Sequence, residues 1–230
     1  MAERIRTLLD KNIQEQKKLQ KAQMQALQAQ ITPHFLYNTF DTIVWLAEGG
    51  YNEKVIDVTM AFSDFCRISL SKGRDFITVE EEVRHLQSYL TIQEIRYENI
   101  LHYTIDVEEK IKHFRMLKLL LQPLVENALY HGIKNKRTGG TITIEGKKEE
   151  EKLKFVVRDD GIGMKEEQLI QLRKSLEQLQ ESSGYGLYNV NQRLALYYGG
   201  SSLTIESEYE KGTAISFYLP IEEEGMNNHV

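Results

Sequence analysis

The sequence predicts an α+β protein. An N-terminal helical hairpin doubles into a dimeric four-helix bundle, and a sandwich of one helical layer on one sheet follows it. Three observations predict this. Before residue 100 the apolar residues recur at helical spacing. From Leu101 the period changes and short β-branched runs appear. Glycines and capping residues divide both regions into elements of ordinary length.

Composition narrows the class. The chain has 230 residues, enough for one large domain or two small ones. Hydrophobic residues make up 41% and charged residues 27%, as in a soluble globular protein. The formal net charge is −5, and no basic stripe interleaved with aromatics appears, which argues against a nucleic-acid partner. Cys66 stands alone, which excludes internal disulfides and a cysteine-rich metal site; it reads as core and fits a reducing compartment. No apolar run reaches the ~18 residues of a membrane span. Met1-Ala2-Glu3-Arg4 opens straight into polar helix, without the pattern of a signal peptide.

The elements follow in order. Residues 1–30 read as a polar coiled-coil helix with a thin apolar stripe: Ile5, Leu9, Ile13, Met24, Leu27 and, just beyond, Ile31. Such a stripe cannot hold a lone helix and predicts a weak coiled coil with a second copy. Residues 31–77 form the hairpin. Its first helix carries Pro33 and His34, and Pro33 either opens the helix or kinks a longer one. At 100° per residue, Leu36, Phe40, Ile43 and Ala47 share a stripe opposite His34, which faces away from the core with Asn38 and Asp41 on its side. Gly49-Gly50 stops this helix, Asn52 can cap the next, and Val55, Val58, Phe62 and Phe65 give that one its stripe.

After the break at Lys72–Asp75, Thr78 and Glu81 make a capping box that opens a connecting helix, 78–100, running to about Tyr97. The sandwich occupies 101–220. Ile105 and Val107 fit a strand, and Met116–Tyr130 reads as a leucine-dense helix. Thr141–Ile144 and Leu153–Val157 read as strands, Gly186–Tyr198 as a helix, and Leu203–Ile205 with Ala214–Leu219 as two further strands. Residues 221–230 are an acidic tail.

Three patches in the sandwich carry possible chemistry. Asn127 and His131 are four apart at the end of the leucine-rich helix and share a face; an amide oxygen there is a hard ligand suited to Mg²⁺. Asp159-Asp160-Gly161-Ile162-Gly163 follows a strand, where a carboxylate can accept from an exocyclic amine and glycines let a ring approach the backbone. Gly184-Tyr185-Gly186-Leu187 opens a helix, where free N–H groups suit phosphate. The polar stretch Lys165 to Ser183 between the last two reads as a movable lid, with a short helix through Leu169, Leu172 and Leu176. Each patch alone is weak, since Asp-Gly is usually a turn. The phosphate-loop and dinucleotide patterns fail on spacing.

Together the patches carry a resemblance. Gln122–Asn127, Asp159-x-Gly161-x-Gly163, Gly184-x-Gly186-Leu187 and Gly212-Thr213, in that order, are similar to the GHKL ATP-binding domain shared by histidine kinases, Hsp90, gyrase and MutL. With Pro33-His34-Phe35-Leu36-Tyr37-Asn38 added, the chain resembles the catalytic portion of a LytS/YesM-type sensor histidine kinase over roughly residues 25–220. The resemblance implies ATP and Mg²⁺ as cofactors. It implies His34 as phosphoacceptor, Asn127 on the metal and Asp159 on the adenine amine. Gly161 and Gly163 would shape that pocket, with Gly184 and Gly186 at the phosphates. Gly212 and Thr213 would lie near adenine. It further implies a homodimer, a response-regulator receiver domain as partner, and the cytoplasmic portion of a protein whose membrane spans precede Met1.

Three positions depart from the family pattern. Phe35 stands where many histidine kinases place an acid, which leaves Asn38, one turn on, to orient the imidazole or a water. Pro123 replaces the water-activating glutamate of the hydrolytic relatives, and Tyr130 stands where a lysine is common. The alternative is an ATP-binding regulatory or scaffolding module without phosphotransfer.

Overall fold

The computed structural model describes residues 33–69, 74–177 and 185–221. The expected coiled coil of 1–30 and nearly all of the acidic tail lie outside the described residues. The chain divides into two compact units, residues 1–41 with 223–230, and residues 42–222.

Helix α1 spans Pro33–Glu48 and α2 spans Asn52–Ser69, with Gly49 and Gly50 between them. Gly50 takes φ +73°, where a side chain is strained, so the glycine ends α1 as expected. The buried face of α1 differs from the expected one. Phe35, Thr39 and Leu46 are buried, whereas Phe40 and Ala47 are exposed and Leu36 and Ile43 half-buried. A polar residue sits on the inner face because the Thr39 hydroxyl donates to the Phe35 carbonyl at 2.8 Å, one turn back. In α2 the expected stripe holds: Val58 and Phe65 are buried, Val55 and Phe62 half-buried.

The partner of α2 is α3 (Val79–Arg96). His85 stacks on Phe65 with ring centroids 4.5 Å apart, and its Nε2 lies 2.8 Å from Ser69 Oγ. Arg84 and Asp64 pair at 2.8 Å on the exposed rim. The start of α3 is the expected capping box. Glu81 N–H donates to Thr78 Oγ1 at 3.1 Å, and Thr78 N–H donates to Glu81 Oε2 at 3.0 Å.

Strands β1 (Phe76–Thr78) and β3 (Arg115–Leu117) pair antiparallel as a small separate sheet. This corrects the expected helix over Met116–Tyr130. Met116 and Leu117 are strand, Leu119 turns with φ +59°, and helix α4 begins only at Gln122.

The main sheet holds β2 (Leu101–Val107), β4 (Gly140–Glu149), β5 (Lys152–Asp159), β6 (Thr204–Glu208) and β7 (Gly212–Pro220), in the order β2-β4-β5-β7-β6. β2 and β4 run parallel and the other pairs antiparallel. Ile142, Ile144, Phe155, Val157, Ile215 and Phe217 alternate onto the buried face, where Phe155 and Phe217 stack at 5.4 Å. The helical layer contains α4 (Gln122–Asn127), α5 (Glu166–Glu177) and α6 (Tyr185–Tyr197). α4 packs on α6, and α5 lies against β6, where the Arg173 guanidinium donates to the Ile205 carbonyl. This is the expected mixed α/β sandwich.

Candidate functional site

The sheet delivers one acid to the helical layer. Asp159 is the last residue of β5, opposite Thr213 of β7, and only 4% exposed. The N–H of Gly161 donates to its Oδ1 at 2.9 Å. The carboxylate fits because two glycines face it: a Cβ on Gly132 would overlap Asp159 Oδ1, and one on Gly161 would overlap the Gly132 backbone. Burial pushes the Asp159 carboxyl up to about 6, and the neighbouring Asp160 adds to the rise. The N–H groups of Gly161 and Thr213 and the charge of Lys136 oppose it. A buried acid held near neutrality is a mark of a ligand site.

Asp159 opens into a cavity of about 500 Å³, the size of a small-molecule site. Its apolar walls come from Ile162, Met164, Leu172, Leu187 and the Tyr209 ring. Asn127, His131, Asn135, Asp159 and Thr213 converge on it as polar groups, and Lys165, Gln168 and Gln171 complete the lining with Gly132 and Gly163.

The helix that supplies Asn127 and His131 changes its winding between them. α4 ends at Asn127 and the backbone continues as a π-helical turn over Ala128–Ile133. Such turns widen a helix by one residue and gather at functional sites. The Asn135 amide closes this one, donating to the carbonyls of Tyr130 at 3.1 Å and His131 at 3.3 Å. Asn127 and His131 both line the cavity, and Tyr130, half-buried, is not among its lining residues.

The loop after β5 is fastened to the β6–β7 turn. Glu210 N–H donates to the Ile162 carbonyl at 2.7 Å, and Met164 N–H to Ser207 Oγ at 2.9 Å. The same Ser207 oxygen lies 2.9 Å from Thr213 Oγ1. Gly163 sits at φ +60°, where a Cβ would overlap the Glu208 carbonyl. Gly163 and Thr213 are thereby locked beside Asp159.

Helix α6 brings Leu187, 3% exposed, to the cavity wall. Gly186 does not line the cavity; it faces Pro123 of α4, whose Cβ lies 3.5 Å from a built Cβ, an ordinary contact distance. Gly184 and the rest of 178–184 lie outside the described residues, so the expected lid is represented by α5 alone.

His34 and Asn38 meet one turn apart on α1, both in the first compact unit, whereas the cavity belongs to the second. Asn38 Nδ2 lies 2.9 Å from His34 Nδ1 and 3.0 Å from Nε2. It can donate to whichever ring nitrogen carries the lone pair. Turned over, the amide presents Oδ1, which accepts the ring N–H and leaves the other nitrogen nucleophilic.

Sequence reasoning missed several cavity residues. Gly132 directly follows His131, and its signal was available. Asn135, Gln168, Gln171 and Tyr209 carry no motif and become neighbours only through the winding of the π turn, the placement of α5 and the β6–β7 turn.

Comparison with known proteins agrees with this arrangement. Residues 22–101 match the histidine kinase family, and residues 114–223 match the family of histidine kinase-, DNA gyrase B- and HSP90-like ATPases. Sensor histidine kinase YesM of Bacillus subtilis is 35% identical over 97% of this chain and 38% of its own length. Sensor protein LytS of Bacillus cereus is 36% identical over 89% of this chain and 35% of its own. The uncharacterized protein YwpD of Bacillus subtilis is 36% identical over 87% of this chain and 71% of its own. The chain thus spans little more than a third of YesM and LytS. No helix among the described residues is long and apolar enough to cross a membrane. Two adjoining family matches in this order, together with relatives aligned across both, establish that the chain belongs to the sensor histidine kinase family that includes YesM and LytS.

Proposed function

We propose that this chain is the catalytic portion of a sensor histidine kinase, which phosphorylates itself on His34 with ATP and passes the group to an aspartate of a response-regulator receiver domain. The observation that carries the reading is the buried Asp159 carboxylate at the floor of a cavity it shares with Asn127 and Thr213. An ionised carboxylate there selects a ring with an exocyclic amine, and the apolar walls suit a purine face. Asn127 offers one amide oxygen. Among the described residues no three metal-ligating side chains gather, which fits Mg²⁺ held mainly by water and phosphate oxygens. When bound, that ion neutralises charge on the transferring phosphoryl group.

His34 supplies the nucleophile. In its neutral form the nitrogen free of hydrogen attacks phosphorus, the P–N bond forms as the bond to the bridging oxygen breaks, and ADP leaves. With its amide turned so that Oδ1 accepts the ring N–H, Asn38 holds the ring in the tautomer that exposes this lone pair. The reading also takes the chain as a homodimer. Val44, Trp45, Ile56 and Met60 are each more than half exposed on α1 and α2, an apolar surface that a second copy would cover. Membrane attachment through a segment ahead of residue 1 belongs to the same reading.

The test is incubation with γ-labelled Mg-ATP. Label that is acid-labile and alkali-stable, and absent from His34→Gln, is the expected result. Phe35, buried where an acidic residue serving as base is common, favours the second reading of an ATP-binding module without phosphotransfer. ATP binding with no label at all would select it.

A further inference from the structure

The helix that carries Asn127 starts without a cap of its own. Leu121 stands at the N-cap position of α4 and makes no side-chain hydrogen bond there. The N–H groups ahead of Gln122 are met instead by a carboxylate from α3. Glu82 Oε1 accepts from Leu121 N–H at 2.9 Å and Oε2 from Leu119 N–H at 2.7 Å. Glu82 is 1% exposed, so water does not substitute for these bonds. Leu119 holds φ +59°, unfavourable for a leucine, and is clamped from the other side as well. Arg193 of α6 donates to the Leu119 carbonyl at 3.0 Å and to that of Lys118.

We propose that Glu82 is a positioning residue for the metal end of the nucleotide: capping the Asn127 helix from α3, it sets the Mg²⁺-dependent part of nucleotide affinity. The inference rests on the reading of the cavity as an ATP site. α4 has six residues, Gln122–Asn127, so its two ends are only ~8 Å apart. Displacement at the cap reaches Asn127 within two turns, with no intervening hinge. Asp159 also has supports outside α4, in β5 and the Gly161 N–H, although its neighbour Gly132 lies on the π turn that continues α4. The metal end of the ligand therefore depends on α3 more directly than the end held by Asp159.

Glu82→Gln keeps the volume, but an amide accepts with one oxygen only and turns N–H groups toward the other backbone donor. Affinity for a non-hydrolysable ATP analogue is measured by calorimetry in excess Mg²⁺ and in EDTA, on parent and variant. The parent binds more tightly with Mg²⁺. The variant loses about tenfold in Mg²⁺, as expected for one misplaced buried hydrogen bond, and less than about twofold in EDTA. Hydrogen exchange adds a second readout: Mg²⁺ with the analogue slows the amides of 124–127 in the parent and not in the variant. Equal losses in both buffers, as from general destabilisation, would overturn the proposal, and so would no loss in either. If Glu82→Gln lacks the far-ultraviolet dichroism of the parent, Glu82→Asp is measured instead and read by the same ratio. A parent protein that binds no ATP in either buffer defeats the underlying assignment, a different result from a parent whose Mg²⁺ increment survives the substitution.

Discussion

Replacing Asp159 with asparagine should weaken nucleotide binding and stabilise the protein, and the opposite signs make the test sharp. The folded carboxyl is raised from 3.8 to about 6, so the native state binds more protons than the unfolded chain between those values. Its contribution to stability is complete below pH 3.8, falls as pH rises, and is lost above about 6. At pH 7 the ionised buried acid costs about 3 kcal/mol, at ~1.4 kcal/mol per tenfold. Asparagine is uncharged, keeps an oxygen for the Gly161 N–H and escapes that cost. Thermal unfolding at pH 7 should therefore shift upward by several degrees.

Binding moves the other way. An amide that donates where the carboxylate accepted meets the exocyclic amine donor to donor, for a loss of about 2 to 3 kcal/mol, or about 30- to 150-fold in affinity. The parent should also show a pH dependence that the variant lacks. With a carboxyl near 6, about nine-tenths is ionised at pH 7 and about one-tenth at pH 5, so affinity falls about tenfold across that interval. Titration of the nucleotide itself cancels in the difference between the two proteins. Calorimetric titration at pH 5, 6 and 7 measures both slopes. Parallel slopes, or a variant that is less stable than the parent at pH 7, would refute the reasoning.

Three further outcomes are expected. His85 is held neutral in the fold, its imidazole lowered from 6.5 to about 4 by burial and then by Lys118. The native state thus binds fewer protons in that range, and about 3 kcal/mol is lost as pH falls from 6.5 to 4; urea unfolding of His85→Leu at pH 4.5 and 7 should show a smaller difference than the parent. Gly132→Ala should displace the Asp159 carboxylate, costing 1 to 3 kcal/mol of stability by chemical unfolding, about the cost of an overpacked core, and at least tenfold in nucleotide affinity. Ile56→Glu with Met60→Glu, one turn apart on the exposed face of α2, should leave the fold intact and yield monomers by sedimentation, where the parent sediments as a dimer.

Much of this architecture was legible because local chemistry fixed it. Thr78 with Glu81, the Gly49-Gly50 stop and the alternating runs of β4, β5 and β7 each specify their element without tertiary help. The failures have physical causes. α1 is apolar on two faces, Phe35 with Leu46 and Phe40 with Val44 and Trp45, so helical periodicity could not choose which one turns inward. The run Met116–Leu121 is buried throughout apart from the half-buried Leu119, and a leucine-dense run broken only by Lys118 reads equally as strand or helix. Its break is the left-handed Leu119, stabilised by Glu82 and Arg193, partners 37 and 74 residues away. Asp159, Asn127 and Thr213 were found because motif spacing encodes them. Asn135, Ser207 and Tyr209 act through contacts that no spacing records.

Three costly features of the molecule lie on or next to the elements that build the cavity. An acid forced toward neutrality, a leucine in the left-handed region and a helix wound in π form each lower stability where a more regular arrangement would not. They fall on β5, on the segment leading into α4, and on the turn that follows it. Two of the three serve residues of one cavity directly, and the third fixes the start of the helix that reaches it. A single substitution at Asp159 or Leu119 would relieve its cost, and the grouping of these features around one cavity supports the proposal that the chain binds its ligand there.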